Sequence, residues 1–136
     1  MTDSTSRNFL VAGSLLSAMG VALGAYGAHG LSSLLESLGY GESLAKRLAW
    51  FETAIRYQMI HALGLLILGM WTKTTPSPWL RRAGFCFLVG IVLFCGSLLV
   101  MTLASPSWRI LGAVVPLGGL SLIAGWIAAV IAAMES

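Results

Sequence analysis

Long stretches without a charged side chain dominate this sequence. Four runs free of Asp, Glu, Lys and Arg follow one another, at 8–35, 57–72, 83–108 and 110–134. A helix that crosses a bilayer needs about 20 apolar residues. The second run is short by itself, but it can extend backward into a helix that carries charges at its outer end. We therefore predict an all-α, four-helix transmembrane bundle, a single membrane domain over 1–136, with spans at about 9–29, 55–72, 83–104 and 110–133.

The composition excludes the main alternatives to a membrane protein. Charged residues make up 10% of the chain and hydrophobic residues 57%, whereas soluble domains carry about 25% charged residues. So few charges argue against a soluble enzyme and also against a disordered chain. The first run could instead be a signal peptide, with Arg7 as its basic flank and Ala25 and Gly27 near a cleavage point. Its length and its many glycines favour a span.

The positive charges lie between the apolar runs. The net charge is +3, but no basic stripe or nucleic-acid-binding motif is present, so we expect no nucleic-acid partner. Cytoplasmic loops of membrane proteins carry an excess of Lys and Arg. The short 73–82 loop concentrates such charge beside two spans, which favours cytoplasmic N- and C-termini. The number of basic residues on each side does not decide the orientation, because it is four in both cases. Arg7, Lys73, Arg81 and Arg82 would then face the cytoplasm, and Lys46, Arg47, Arg56 and Arg109 the opposite side.

The segment 32–56 is the most polar part of the chain. Ser33 and Glu36 fit a capping box that would start a short helix, and Gly39 can end it. After Gly41, apolar residues recur in a helical stripe, which predicts a short amphipathic helix in the first inter-span loop: Leu44, Leu48, Phe51 and Ile55. This helix either lies in the membrane interface or packs as a solvated helix on the bundle end. It then turns, or runs on, into the second span.

Small residues in the spans predict close helix packing. Helix association in lipid depends on close backbone approach, which small side chains allow. Pro116 lies within the fourth predicted span, where the missing N–H predicts a kink or short break. In the first span a ridge of small residues is predicted, with Gly27 beside it: Gly13, Ser17, Gly20, Gly24 and Ala28. The residues singled out for packing over the whole chain are Gly20, Gly24, Ala28, Gly96, Pro116, Gly118, Gly119 and Gly125.

Polar residues near the start of the second span form the candidate site. If the first two spans are a hairpin, the two histidines lie at similar depth, and one polar network is expected to join His29, Glu52, Arg56, Tyr57, Gln58 and His61. Two histidines on facing helices can bind haem or a metal. A structural hydrogen-bond network is favoured, and no cofactor or metal is expected. Cys86 and Cys95 are nine residues apart on one helix and cannot bridge each other.

Four stretches of the sequence are similar to a known family. They are 24–29 (GAYGAH), 53–54 (TA) with 57–58 (YQ) and 61–62 (HA), 93–98 (LFCGSL), and 116–119 (PLGG) with 124–126 (AGW). With them the chain resembles the small multi-pass inner-membrane proteins of the YgdD-like type, a domain of unknown function. Cys95 stands where that family tends to have a serine, and Leu99 where an aromatic is common. The resemblance implies a bacterial inner-membrane location and brings no established activity, substrate or cofactor.

The leading functional hypothesis is a structural or accessory membrane protein. It would act through helix–helix contacts with a second copy or a membrane protein partner, and membrane lipid would surround it. The second hypothesis is a small-solute or ion carrier that uses the polar cluster, and the third is a haem- or quinone-linked redox protein. An enzyme is least expected, because no nucleophile–base pair or carboxylate dyad occurs at usable spacing.

Overall fold

The computed structural model describes residues 2–135. Six α-helices follow one another in the chain, with two 3-10 helices at Gly41–Ser43 and Pro106–Ala113 and a π-helical segment at Ile91–Gly96. The α-helices are α1 (Thr2–His29), α2 (Leu31–Ser37), α3 (Leu44–Thr74), α4 (Pro78–Gly90), α5 (Ser97–Leu103) and α6 (Val115–Met134).

Within residues 2–135, four helical segments are long and apolar enough to cross a membrane: Ser4–His29, Gly41–Thr74, Pro78–Leu103 and Pro106–Met134. The all-α, four-span bundle is thus confirmed. The amphipathic stripe that begins at Leu44 is not a separate helix, because α3 continues through it without interruption to Thr74. Of the two continuations that the sequence allows, the stripe runs on into the second span.

The spans pack as two pairs, α1 with α3 and the third span with α6, and α3 joins the two pairs. Helix α1 packs along α3, α6 packs along α4 and the π-helical segment, and α3 also contacts α4 and α5. In the most apolar stretch of each span, 17% of residues are buried in α1 and 22% in the last span, against 44% in the other two. The first and last spans are therefore peripheral, and α3 and the third span form the centre.

The short helix α2 folds over one end of the bundle, called here the α2 end. Leu31 and Leu35 are fully buried there. The predicted capping box is wrong: α2 begins directly after Gly30, which is its N-cap without a side-chain bond, so Ser33 lies inside the helix. Gly39 ends α2 as predicted. Its φ of 82° is the left-handed conformation that glycine adopts without strain.

The last two spans each contain a change of helix type. The third span passes through the π-helical segment Ile91–Gly96 before it resumes as α5. The fourth begins as a 3-10 helix, and α6 starts at Val115 with Pro116 in its first turn. A proline is tolerated there, because the first N–H groups of a helix have no partner within it. The predicted break therefore occurs as a 3-10-to-α junction, and Pro116 itself is exposed.

The glycine ridge of α1 differs from the predicted one. Gly13, Gly20 and Gly27, seven residues apart, face α3: a Cβ at Gly13 would lie 2.8 Å from the Ala62 carbonyl oxygen, and the other two sites are covered by Met59 and Phe51. The predicted ridge is correct for Gly13 and Gly20. It is wrong for Ala28, which is exposed, and for Gly24, which touches α3 only loosely. A repeat of seven keeps one face against a long partner, whereas a repeat of four moves round the helix.

In the last two spans, some of the predicted glycines pack closely and others do not. Gly118 packs directly on the backbone of Phe94, and a Cβ at Gly125 would meet the Phe87 ring. Gly119 makes only ordinary contact with the Phe94 ring. At Gly96, a Cβ would have no neighbour within 4 Å, so the predicted packing role of this glycine is wrong.

Candidate functional site

His61 lies buried in the middle of the bundle, and both ring nitrogens are hydrogen-bonded. Its Nδ1 is 2.7 Å from the main-chain carbonyl oxygen of Tyr57, and its Nε2 is 3.1 Å from Nε1 of Trp126. A carbonyl can only accept and an indole N–H can only donate. The neutral ring with its proton on Nδ1 satisfies both bonds at once. His61 therefore joins α3 to α6.

Aromatic rings surround this histidine. Phe87 meets it edge-on at 5.1 Å between centroids, and Trp126 lies at 5.9 Å. Tyr57 packs on Phe94 of the π-helical segment at 4.7 Å. The ring of His61 thus sits among three spans, and its neighbours Tyr57 and Trp126 are partly exposed at the bundle surface while His61 itself is buried.

Gln58 is the second buried polar residue of α3. Its Nε2 donates to the main-chain carbonyl of Leu16 over 2.9 Å, in the middle of α1. The side chain is 1% exposed, so this bond links the first two spans in the apolar interior.

The structure divides the predicted network. His29, Glu52 and Arg56 are exposed and make no hydrogen bond or ion pair with the described residues. The expected pairing of Glu52 with Arg56 and the expected meeting of the histidines are both absent from residues 2–135. Because α3 starts at Leu44, His61 lies about 26 Å along it, whereas His29 is at the last residue of α1, beside the α3 start. The prediction started the second span at about residue 55, close to His61, whereas the helix begins at Leu44. The two histidines therefore lie at different depths.

Arg47 is a structural residue that sequence analysis missed. It is 1% exposed. Its Nη1 donates to the main-chain carbonyls of Met101, Thr102 and Ala104, at 3.1, 2.6 and 2.9 Å, and its guanidinium lies 3.5 Å from the centroid of the Tyr40 ring. The final carbonyls of a helix lack partners within it and carry partial negative charge. Arg47 therefore caps the end of the third span.

A groove opens between α1 and the start of α3. It has a volume of about 390 Å³, and Glu52 and Arg56 are the charged residues in its wall. The remaining lining is apolar or small: Gly24, Gly27, Ala28, Leu31, Leu48, Phe51 and Ile55. The acid and base of the predicted cluster thus belong to this groove and not to the surroundings of His61.

Metal-ligand geometry is not found in the described part of the chain. No three His, Cys, Asp or Glu side chains of residues 2–135 come together, and Cys86 and Cys95 are both free.

Four long apolar helical segments, an apolar core whose few buried polar side chains bond within the protein, and wide apolar outer faces define an integral membrane protein with four spans. Comparison with known proteins identifies its family. Residues 23–119 match the family described as "Protein of unknown function (DUF423)", and the chain belongs to it.

The chain is similar over most of its length to several proteins named as membrane proteins. A UPF0382 membrane protein of Staphylococcus haemolyticus is 40% identical over 127 residues, which cover 93% of this chain and 95% of that protein. The UPF0382 membrane protein YwdK of Bacillus subtilis is 38% identical over 93% of this chain and 96% of its own. The UPF0382 inner membrane protein YgdD of Escherichia coli is 34% identical over 90% and 86%, respectively. No solved structure matches the chain.

Proposed function

We propose that this chain is an accessory protein of the bacterial inner membrane that acts through helix contacts with a second copy or another membrane protein, and that it catalyses no reaction. The bonding of its interior polar groups supports this role. Among the described residues, a single buried side-chain polar atom, Ser17 Oγ, has no partner. A carrier needs interior groups that are free to bind cargo. Here they join helices: Ser6 to Gly69, Gln58 to Leu16, His61 to Trp126 and Ser121 to Cys86.

The outer faces of the peripheral spans offer the surface for such contacts. Large apolar side chains of α6 point away from the bundle: Leu117, Leu120, Ile123, Ile127 and Val130 are each more than half exposed. Leu122, on the opposite face of α6, is buried. A helix of a second chain can pack on this face as readily as lipid can.

Crosslinking tests the contact. Single cysteines replace Leu120 and, as the matched buried control, Leu122, in a variant without Cys86 and Cys95. Oxidation in native membranes should join Leu120→Cys to a second copy or to another membrane protein, and Leu122→Cys should stay monomeric. Absence of any crosslink from scanned positions on the outer faces of α1 and α6 would argue against the role. Ion flux in proteoliposomes that His61→Phe abolishes would establish a carrier instead.

The proposal includes an orientation with both termini in the cytoplasm. The bond from Ser6 Oγ to the Gly69 carbonyl holds the start of α1 beside the end of α3. This arrangement collects Arg7, Lys73, Arg81 and Arg82, all exposed, at one end of the bundle. At the α2 end, Arg47 is buried, which leaves three exposed cations, Lys46, Arg56 and Arg109. The richer end is placed inside, in accord with the positive-inside rule.

Labelling of intact cells with an impermeant thiol reagent tests the orientation. Ser37, the last residue of α2, and Thr75, directly after α3, are exposed and lie at opposite ends of the bundle. In the cysteine-free background, Ser37→Cys should react and Thr75→Cys should react only after the cells are opened. The reverse labelling pattern would show that both termini lie outside the cytoplasm.

A further inference from the structure

The groove between α1 and α3 has an open floor. A Cβ at Gly24 would lie 3.9 Å from Ile55 Cγ2, an ordinary contact, and would meet no other atom within 4 Å. At Gly27, by contrast, the Phe51 ring fills the space. Because Gly24 has no side chain and Ala28 has only a methyl group, the groove stays open beside them, and Leu31 and Phe51 form part of its wall.

The two charged residues of the groove lie at the membrane boundary. Lys73 stands at the far end of α3, and the helical rise places Arg56 about 26 Å and Glu52 about 32 Å from it. The hydrocarbon layer is about 30 Å thick. With Lys73 at one surface, Glu52 reaches the headgroup layer at the other, and Arg56 starts about one turn inside it, from where its long side chain extends to the headgroups. The apolar groove beside them extends into the acyl-chain region at Gly24 and Ile55.

Glu52 and Arg56 are spaced to pair with each other, but they remain apart. An acid four residues before a base on a helix favours a salt bridge. Neither side chain makes an ion pair or hydrogen bond with any described residue. Arg56 lies toward the membrane interior and Glu52 about one turn further out. A ligand that bridges them carries its negative group deeper and its positive group nearer to water.

We propose that this groove binds a phospholipid with an ethanolamine headgroup. Such a lipid has a phosphate next to the acyl chains and a primary ammonium beyond it, which is the order that Arg56 and Glu52 match. The guanidinium is suited to phosphate, and the ammonium donates to the Glu52 carboxylate. One acyl chain lies over Gly24 and Ala28. The lipid site stands whether or not the bundle binds another protein.

Native mass spectrometry of the purified full chain tests the proposal. The protein in nonionic detergent is titrated with dioleoylphosphatidylethanolamine or dioleoylphosphatidylglycerol, and bound lipid is counted. The ethanolamine lipid should bind preferentially. Arg56→Gln should lower its occupancy about fivefold, as expected for one ion pair at a half-open site. Glu52→Gln should remove the preference over phosphatidylglycerol. Arg109→Gln, an exposed cation at the same end outside the groove, is the control.

A second variant fills the groove itself. Gly24→Leu places its side chain in open space, so the fold should persist while both lipids lose binding. Equal retention of the two lipids by the unmodified chain would overturn the proposal. So would Arg56→Gln or Glu52→Gln indistinguishable from Arg109→Gln. If Gly24→Leu leaves lipid binding intact but converts a dimer to a monomer, the groove holds a helix of a second copy.

Discussion

Arg47 and Thr102 bind each other reciprocally: the Arg47 guanidinium donates to the Thr102 carbonyl over 2.6 Å, and the Thr102 hydroxyl donates to the Arg47 carbonyl over 3.4 Å. Both residues are almost fully buried. Because the three carbonyls bound by Arg47 end the third span, this pair connects the second and third spans at the α2 end. A buried cation without an acidic partner is thus balanced by main-chain carbonyl dipoles.

Loss of this cap should destabilise the bundle. Arg47→Gln leaves three carbonyls without their charged donor, and hydrogen bonds to charged groups contribute about 1.5–3 kcal/mol each before compensation by water. We expect the free energy of unfolding to fall by about 2–4 kcal/mol, measured by denaturation in mixed micelles. The neighbouring Lys46→Gln, at an exposed site, should change it by less than about 1 kcal/mol. Equal effects of the two substitutions would show that the cap contributes nothing.

The close approach of α1 to α3 predicts a contrast between two glycines. Gly13→Ala should lower stability by about 1–3 kcal/mol, since the added methyl overlaps the Ala62 carbonyl and the helices must separate. Gly24→Ala should stay within about 1 kcal/mol of the parent, because the space is open and alanine favours helix over glycine. Thermal melting of both variants in detergent checks the order. A larger loss for Gly24→Ala would contradict the seven-residue ridge.

Two adjacent glycines of α6 provide a second contrast. A Cβ at Gly118 would be 2.8 Å from the Phe94 Cα, whereas one at Gly119 would be 3.7 Å from the edge of the Phe94 ring. Backbone cannot move aside as a ring can, so Gly118→Ala should separate α6 from the π-helical segment and lower the melting temperature. Gly119→Ala should melt close to the parent. Similar melting of the two variants would mean that the contact is loose.

The polar link between His61 and Trp126 should appear in a double-mutant cycle. His61→Phe and Trp126→Phe both remove the bond, so their effects on the free energy of unfolding should overlap by about 0.5–1.5 kcal/mol. His29→Ala combined with His61→Phe should be additive within about 0.5 kcal/mol. Strong coupling between His29 and His61 would instead support the single polar network that the sequence predicts.

The spans are predictable because uncharged runs of bilayer length have few other solutions. The same logic fails for the N-terminal part of α3. There the helix continues past the charged residues that bound the uncharged run 57–72 and begins only at Leu44. Four charged residues, the buried Arg47 among them, lie within the first thirteen residues of this helix. Hydropathy cannot separate a helix that ends at the membrane surface from one that continues beyond it.

The sequence predicts which type of residue packs between helices, but not which individual residues do so. Sequence shows that small residues will pack, but the spacing that does so depends on how two helices cross, which the chain sets through all its contacts together. Arg47 carries no local signal of burial, since its acceptors are main-chain carbonyls more than fifty residues away. The π-helical segment, which turns Phe94 toward Gly118 and Tyr57, likewise leaves no pattern in 91–96.

The length of α3 makes the molecule unequal at its two ends. Its 31 residues extend about 46 Å, roughly 16 Å more than the hydrocarbon layer, and the excess lies where α2 and the 3-10 helix Gly41–Ser43 cover it. One compartment therefore meets a folded platform of about three helical turns, and the other meets short connections close to the lipid. A water-soluble molecule on the α2 side of the membrane therefore meets a larger folded surface than one on the other side.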